Sequence, residues 1–385
     1  MYLVNDIYKT IFLKIIIAPD KFKNTLTGIA FCNAVKEGVK AILPKSNIVK
    51  LPLADGGDGT IEVVNYYLKG TVINIEVNNP FFKPVIASYL YAKKSKTAFI
   101  EMAEASGVKR LKREEFDCKN ATTLGTGEMI LDAVKKGAKT IILGIGGSAT
   151  NDCGIGMATA LGYRFLDKKN KEVLPIGAHL SKIVTVDLTQ VHPKIKEVTF
   201  KIACDVTNPL YGKNGAAYVY GAQKGATGND IELLDKGLKD FSIILNTVFN
   251  IDAQSVKGAG AAGGMGIASK IFLNGTLEPG VELIKNLAQF DEHIENADWI
   301  ITGEGQLDVQ TLSGKTIAGV LSSAKAKKIK VAAFCGVIDL ETKNLKKLGV
   351  TYTDAVVNYS KNIEDAMANS AIYVKKIAKK FAKTL

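Results

Sequence analysis

The chain is 385 residues long, 47% hydrophobic and 23% charged, a globular composition too long for one ordinary core, which predicts two domains. Its 50 Lys+Arg against 38 Asp+Glu give a net charge of +12, but the lysines are scattered in pairs such as Lys93-Lys94, Lys135-Lys136 and Lys379-Lys380. A nucleic-acid footprint needs a basic stripe with interleaved aromatics and a membrane span needs roughly 20 consecutive apolar residues; both are excluded, leaving a basic surface with a mild attraction for anionic metabolites.

The elements alternate from the start. Residues Met1 to Leu13 are apolar but lack a basic segment and a cleavage site, so they are read as an extension, not a signal peptide. The pattern then predicts a strand over Lys14–Ala18, a helix near Thr27–Ile42, a strand over Ile48–Leu51, a helix near Ile61–Lys69 and a strand over Val72–Val77. The middle repeats the scheme, with strands at Thr97–Met102, Thr140–Gly144 and Thr199–Cys204. Its helices are expected at Thr122–Lys136, after the glycine loop up to Gly162, in two stretches between Gly215 and Asn250, and at Gly258–Phe272. Strands at Trp299–Thr302 and Val331–Cys335 and helices at Gly314–Lys325 and Ile363–Lys380 close the series. Such alternation predicts α/β domains with largely parallel sheets. The segments Asn78-Asn79-Pro80 and Glu278-Pro279-Gly280 read as crossings, which predicts a discontinuous domain of residues 1–78 and 282–385 and an inserted domain of 79–281. The basic, amphipathic C-terminal stretch reads as a packed terminal helix.

Five cysteines, odd in number and widely spaced, form neither a disulfide framework nor a zinc site, and fit reduced thiols in the cytoplasm. His179, His192 and His293 have no partner at metal or triad spacing. The chemistry is expected where strands end, since open parallel sheets bind ligands outside their carboxyl ends. Those ends carry Ala18-Pro-Asp-Lys-Phe-Lys23, Ala54-Asp-Gly-Gly-Asp-Gly-Thr60, Gly144-Ile-Gly-Gly-Ser-Ala-Thr-Asn-Asp152, Ala203-Cys-Asp-Val-Thr-Asn-Pro209 and Thr302-Gly-Glu-Gly-Gln-Leu-Asp-Val-Gln-Thr311. Glycine turns bring backbone N–H groups close to phosphate oxygens. Carboxylates beside a phosphate repel it unless Mg²⁺ intervenes, so the pattern points to a metal–nucleotide and to phosphoryl transfer. A single Asp after a strand is ordinarily a helix cap, as Asp55 and Asp152 would each be alone; five such loops exceed what capping explains.

Three familiar strings need weighing. Ser313-Gly-Lys-Thr316 lacks the leading glycine of a P-loop, its place being taken by Val309. Gly258-Ala-Gly-Ala-Ala-Gly263 and Gly144-Ile-Gly-Gly-Ser-Ala149 match dinucleotide fingerprints, the second behind a strand and with Asp167 near the spacing of a ribose-binding acid. An NAD(P)-dependent oxidoreductase of a small hydroxy acid is therefore the rival reading, and a non-catalytic metabolite-binding protein a third. Acids beside an unmediated pyrophosphate weigh against the oxidoreductase.

From Lys14 to the C-terminal helix the chain resembles the type I glycerate kinases, found mainly in bacteria. The resemblance rests on the five loops together with Ala121-Thr-Thr-Leu-Gly-Thr-Gly-Glu128, Gln223-Lys-Gly-Ala226 and Gly258-Ala-Gly-Ala-Ala-Gly-Gly264. Lys21, Asn24, Thr25, Asp58 and Cys153 depart from the family's commonest residues. The resemblance implies two unlike α/β domains, one flavodoxin-like and one restriction-endonuclease-like, with the active-site cleft between them. It also implies transfer of the ATP γ-phosphoryl group to D-glycerate, with 2-phosphoglycerate favoured over 3-phosphoglycerate, by a monomer or homodimer. On this reading Asp308 is the expected base, with Asp205 as the alternative, and Lys23 assists the transferred group. Asp20, Lys21, Asn208, Gln310 and Thr311 are candidates for glycerate. Gly146, Gly147, Ser148, Thr150 and Asn151, at an expected helix start, are candidates for phosphate contacts with Lys315, and Asp55, Asp58 and Asp152 for Mg²⁺.

Overall fold

A computed structural model describes residues 13–385 except 23–24, 56–59, 309–315 and 341. In chain order its strands are β1 (Lys14–Ile17), β2 (Asn47–Lys50), β3 (Thr71–Asn78), β4 (Pro84–Ala92), β5 (Thr97–Glu101), β6 (Thr140–Gly144), β7 (Arg164–Leu166) and β8 (Thr185–Asp187). They continue as β9 (Thr199–Ala203), β10 (Thr276–Glu278), β11 (Trp299–Thr302), β12 (Gln306–Leu307), β13 (Lys330–Cys335), β14 (Val337–Ile338) and β15 (Val350–Ala355). The fold is α/β and divides into two compact units, Met1–Asp55 with Ile284–Leu385, and Gly56–Leu283.

The first unit holds a five-stranded sheet in the order β15-β13-β11-β1-β2, every pair parallel. Its central strands are continuous apolar runs because both faces are covered. Ile15, Ile16 and Ile17 in β1 and Ile300 and Ile301 in β11 are fully buried. One covering helix, Gly28–Lys40, starts where the Thr27 hydroxyl accepts from the Ala30 N–H at 3.1 Å, and buries Phe31, Cys32, Val35 and Val39. It packs against the terminal helix Ser370–Ala382, whose Val374, Ile377, Ala378 and Phe381 are buried. Gly38 permits the close crossing: a Cβ there would stand 2.5 Å from the Lys375 carbonyl oxygen. The C-terminal amphipathic segment is thus a packed helix, and no helix among the described residues is long and apolar enough to cross a membrane.

The second unit holds a six-stranded sheet in the order β10-β9-β6-β5-β4-β3. Strands β10, β9, β6 and β5 are parallel, as the alternation predicts, but β4 runs antiparallel to both β3 and β5. The β3–β4 hairpin places β3 in this unit, and β4 had no counterpart among the expected strands. Tyr89, Phe200, Phe241 and Phe272 anchor the core. The helix Gly228–Phe249 is opened by a reciprocal cap between Thr227 and Asp230.

Candidate active site

In the second unit the glycine loop follows β6, whose run Ile141-Ile142-Leu143 is buried. Gly146 and Gly147 are exposed at its turn, and Gly147 adopts a left-handed φ of +71° that favours glycine. The Gly147 carbonyl accepts from the Val108 N–H at 3.0 Å, and the Ala149 N–H donates to the Ser106 carbonyl at 2.9 Å, so the turn is tied at both sides. The helix expected to start here begins only at Ile155. Gly146 and Gly147 therefore offer a glycine turn, not a helix N-terminus.

Beyond the turn the chain goes inward. Ser148, Thr150, Asn151 and Asp152 are all buried. The Lys224 ammonium donates to Ser148 Oγ at 2.6 Å and to the Thr150 carbonyl at 2.9 Å. Burial pushes the Lys224 amine down to about 8, opposed by the Asp152 carboxylate charge. Thr150 Oγ1 and Asn151 Nδ2 are buried without a hydrogen-bond partner among the described residues.

Asp152, a candidate metal ligand, is fully buried and accepts four hydrogen bonds. Two come from the Thr123 N–H and hydroxyl at 2.8 Å each, and two from the Gly154 and Gly156 N–H groups at 3.1 and 3.2 Å. Burial raises its pKa despite these donors. Thr123 Oγ1 in turn accepts from the Met157 N–H at 2.8 Å, so the carboxylate ties the start of helix Leu124–Lys135 to helix Ile155–Ala160. The glycines of the two motifs serve the same contact. A Cβ on Gly127 would lie 2.3 Å from the Met157 carbonyl oxygen, and one on Gly156 would lie 2.3 Å from Thr122 Oγ1.

The glycine-rich stretch 258–264 backs this loop. Ala262, Gly263 and Gly264 have φ values of 52°, 71° and 96°, a left-handed kink inside the expected helix. It lets the Gly263 carbonyl accept from the Cys153 N–H at 2.9 Å, and a Cβ on Gly263 would fall 2.2 Å from the Thr150 carbonyl oxygen. A 3-10 turn, Ala253–Ser255, precedes it in place of a strand. Asp167 accepts from the Lys169 and Lys171 N–H groups within a surface turn. Both dinucleotide strings thus lack the strand–turn–helix setting that gives them meaning.

After β9, Asp205 is exposed and accepts from the Gly280 N–H at 2.9 Å. Asn208 accepts from the Tyr220 hydroxyl at 2.8 Å and donates to the Asn214 carbonyl at 2.9 Å, so both ends of its amide are engaged.

In the first unit the acids gather at the carboxyl ends of three adjacent strands, β2, β1 and β11. Asp20 and Lys21 follow β1, Asp55 follows β2 and Glu304 follows β11, while Asp308 comes further on, directly after the short strand β12 of a separate two-stranded sheet. Asp20 is only 8% exposed; its carboxylate accepts from the Thr316 hydroxyl at 2.5 Å and the Lys21 N–H at 2.7 Å. Burial pushes it up to about 6, the Thr316 bond opposing and the nearby Asp55 charge adding. Asp55, Glu304 and Asp308 are partly exposed. Gly303 lets this loop turn against β13, since a Cβ there would sit 2.0 Å from the Phe334 carbonyl oxygen.

Among the described residues no group of three or more His, Cys, Asp or Glu side chains is arranged to hold a metal. Mg²⁺ takes one or two carboxylates beside phosphates and water, and Asp55, whose charge is felt at Asp20, is a chemically suitable donor at this end of the sheet. Lys23, Asp58, Gln310, Thr311 and Lys315 lie outside the described residues. Lys224 had no role in the sequence reading, although its Gln223-Lys-Gly-Ala226 string stood out there.

The family model of the Glycerate kinase family matches residues 15–385. A glycerate kinase of Bacillus cereus is 40% identical over 96% of this chain and 97% of its own length. The glycerate 2-kinase of Escherichia coli is 36% identical over 97% of this chain and 98% of its own. A Salmonella typhimurium LT2 crystal structure, described as a glycerate kinase 2, superposes with a TM-score of 0.87 at 36% identity, covering 97% of this chain and 98% of that one.

Proposed function

The chain belongs to the glycerate kinase family, and on that premise we propose that it transfers the ATP γ-phosphoryl group to the 2-hydroxyl of D-glycerate. The kinase activity follows from the family; the observation carrying the site is the set of acids at the ends of β2, β1 and β11 in one parallel sheet. The 2-position is favoured by the name of the Escherichia coli relative. A coupled assay with ATP, Mg²⁺ and D-glycerate, with the product's phosphorylated hydroxyl assigned by NMR, tests both. The 3-phospho isomer as product would overturn the regiochemistry, and no acceptor-dependent ATP consumption would overturn the activity.

Asp308 is the group that accepts the proton from the glycerate hydroxyl, with Asp205 as the alternative. Asp20, Lys21, Asn208, Gln310 and Thr311 bind and orient glycerate, and Lys23 offsets charge on the transferred group. Gly146, Gly147 and Ser148 receive phosphate oxygens, supported from behind by Thr150 and Asn151, and Lys315 adds a cation. Asp55 and Asp58 hold Mg²⁺, which when bound neutralises charge on the phosphates. Asp152 acts at one remove, by fixing the glycine loop.

The strand order β2-β1-β11-β13-β15 supports a flavodoxin-like assignment for the first unit, with the acids at the point where the order reverses. The mixed sheet of the second unit is assigned as restriction-endonuclease-like. A discontinuous domain of both chain ends with an inserted domain between them remains the proposed organisation, its first boundary moved from residue 78 to before β3, in a cytoplasmic monomer or homodimer.

A further inference from the structure

Lys224 is a buried cation without a counter-ion in contact. It is 5% exposed, and among the described residues no carboxylate pairs with its ammonium. Its two partners are a hydroxyl and a carbonyl, Ser148 Oγ and Thr150 O. Burying an ammonium is costly unless an anion offsets it. The carboxylate whose charge is felt there, Asp152, is already shared among four donors on other residues.

The position is built, not incidental. The turn Ala222–Lys224 ends on Gly225, whose φ of 89° suits glycine and whose Cβ would meet the Phe116 carbonyl oxygen at 2.0 Å. The Lys224 N–H donates to the Gly221 carbonyl at 2.9 Å, and its own carbonyl accepts from the Cys118 N–H at 3.1 Å. The lysine backbone is therefore pinned at both ends, and its side chain reaches the residues that follow the exposed Gly146–Gly147 turn. Beside it, Thr150 Oγ1 and Asn151 Nδ2 add buried polar atoms with no partner among the described residues. An unpaired buried cation and two unmatched polar groups behind one exposed glycine turn are what an anion at that turn would complete.

We propose that Lys224 is a positioning residue for the ATP polyphosphate. By holding Ser148 and the Thr150 carbonyl it keeps the Gly146–Gly147–Ser148 turn in its phosphate-receiving shape, and its charge acts on the bound phosphate through that turn. The inference rests on the reading that this turn receives phosphate. It predicts a selective effect, because glycerate needs neither the turn's shape nor this charge.

The test uses the full chain carrying Lys224→Met, Lys224→Gln or, as a control on the turn itself, Gly147→Ala. Each is measured for kcat, for KM of Mg-ATP and of D-glycerate, and for ATP affinity by calorimetry. Expected for Lys224→Met is a rise of at least about tenfold in KM and Kd for ATP, with the glycerate KM within about twofold. Lys224→Gln, which keeps hydrogen-bonding groups but not the charge, is expected to show the same selective loss to a smaller degree, and it carries the test if the Met variant fails to fold. Folded variants with unchanged ATP binding, or with both KM values raised together, would overturn the proposal. If Gly147→Ala weakens ATP binding while the lysine variants do not, only the role of Lys224 falls; if none of the three changes it, the phosphate reading of the turn falls too.

Discussion

Asp20 and Asp152 each lie in the loop after a buried parallel strand, β1 and β6, yet the fold surrounds them differently. Asp152 is wrapped by four donors from Thr123, Gly154 and Gly156 and has no exposed face. Among the described residues Asp20 has two donors, Thr316 and Lys21, and it feels the charge of a second carboxylate, Asp55. The lesson is that burial alone does not mark a functional acid. Burial raises the pKa of both acids, so the difference lies in their neighbours: we read the acid wrapped by donors as structural and the one beside a second carboxylate as functional, and the variants below test both readings.

The sharpest way to break this comparison is at the acid neither case resembles, the partly exposed Asp308. Asp308→Asn is expected to lower kcat by about 10²–10⁴-fold in the coupled assay, the usual worth of a positioned general base. Turnover within a few-fold of wild type would shift that role to Asp205.

Asp152→Asn comes next and should act on stability instead. An amide N–H₂ would face groups that donate, leaving buried donors unmatched at a cost of about 2–4 kcal/mol in urea unfolding. The fraction still folded should keep its kcat within a few-fold; a large loss of turnover at full stability would make Asp152 a functional acid after all.

Asp20→Asn should do the reverse, with turnover falling and stability rising. The folded pKa of about 6 lies above the ordinary 3.8, so folding favours the protonated form. That contribution is complete below about pH 4 and is lost as pH rises through about 6. In metal-free buffer at neutral pH the asparagine variant should therefore be more stable by about 2–3 kcal/mol, and its stability should lose the wild-type decline between pH 4 and 6. A variant less stable than wild type at pH 7 would show that Asp20 is structural like Asp152.

The smallest effect is expected at the backing of the glycine loop. Gly263→Ala places a Cβ against the Thr150 carbonyl at a left-handed position, which should cost about 1–3 kcal/mol by thermal or urea unfolding. An unchanged midpoint would mean the interlock relaxes freely.

Much of the fold was legible because apolar runs such as Ile15–Ile17 and Ile141–Leu143 can only be buried parallel strands in an alternating chain. Strand β4 was not, since it opens on Pro84 and its pattern depends on pairing with β3 and β5. The loops were legible as glycine with acid, but their division of labour was not. What engages Asp152 is Thr123, 29 residues earlier in the chain, and no local spacing announces that contact. Lys224 was hidden for the opposite reason. Lysine is a surface residue by default, and only the pinned turn at Gly225 and the packing around it carry this one inside.

The pairing of β1 also orders events in time. Its neighbour β2 is made within a few dozen residues, but its other neighbour β11 pairs Ile15 with Trp299, so this interior strand waits with one edge open while the whole of Gly56–Leu283 is synthesised. A long loop closure comes last and is entropically slow. During translation the nascent chain therefore carries an apolar, half-paired strand, the species that recruits chaperones or aggregates, and the order of synthesis makes the acid-bearing sheet the last part of the enzyme to exist.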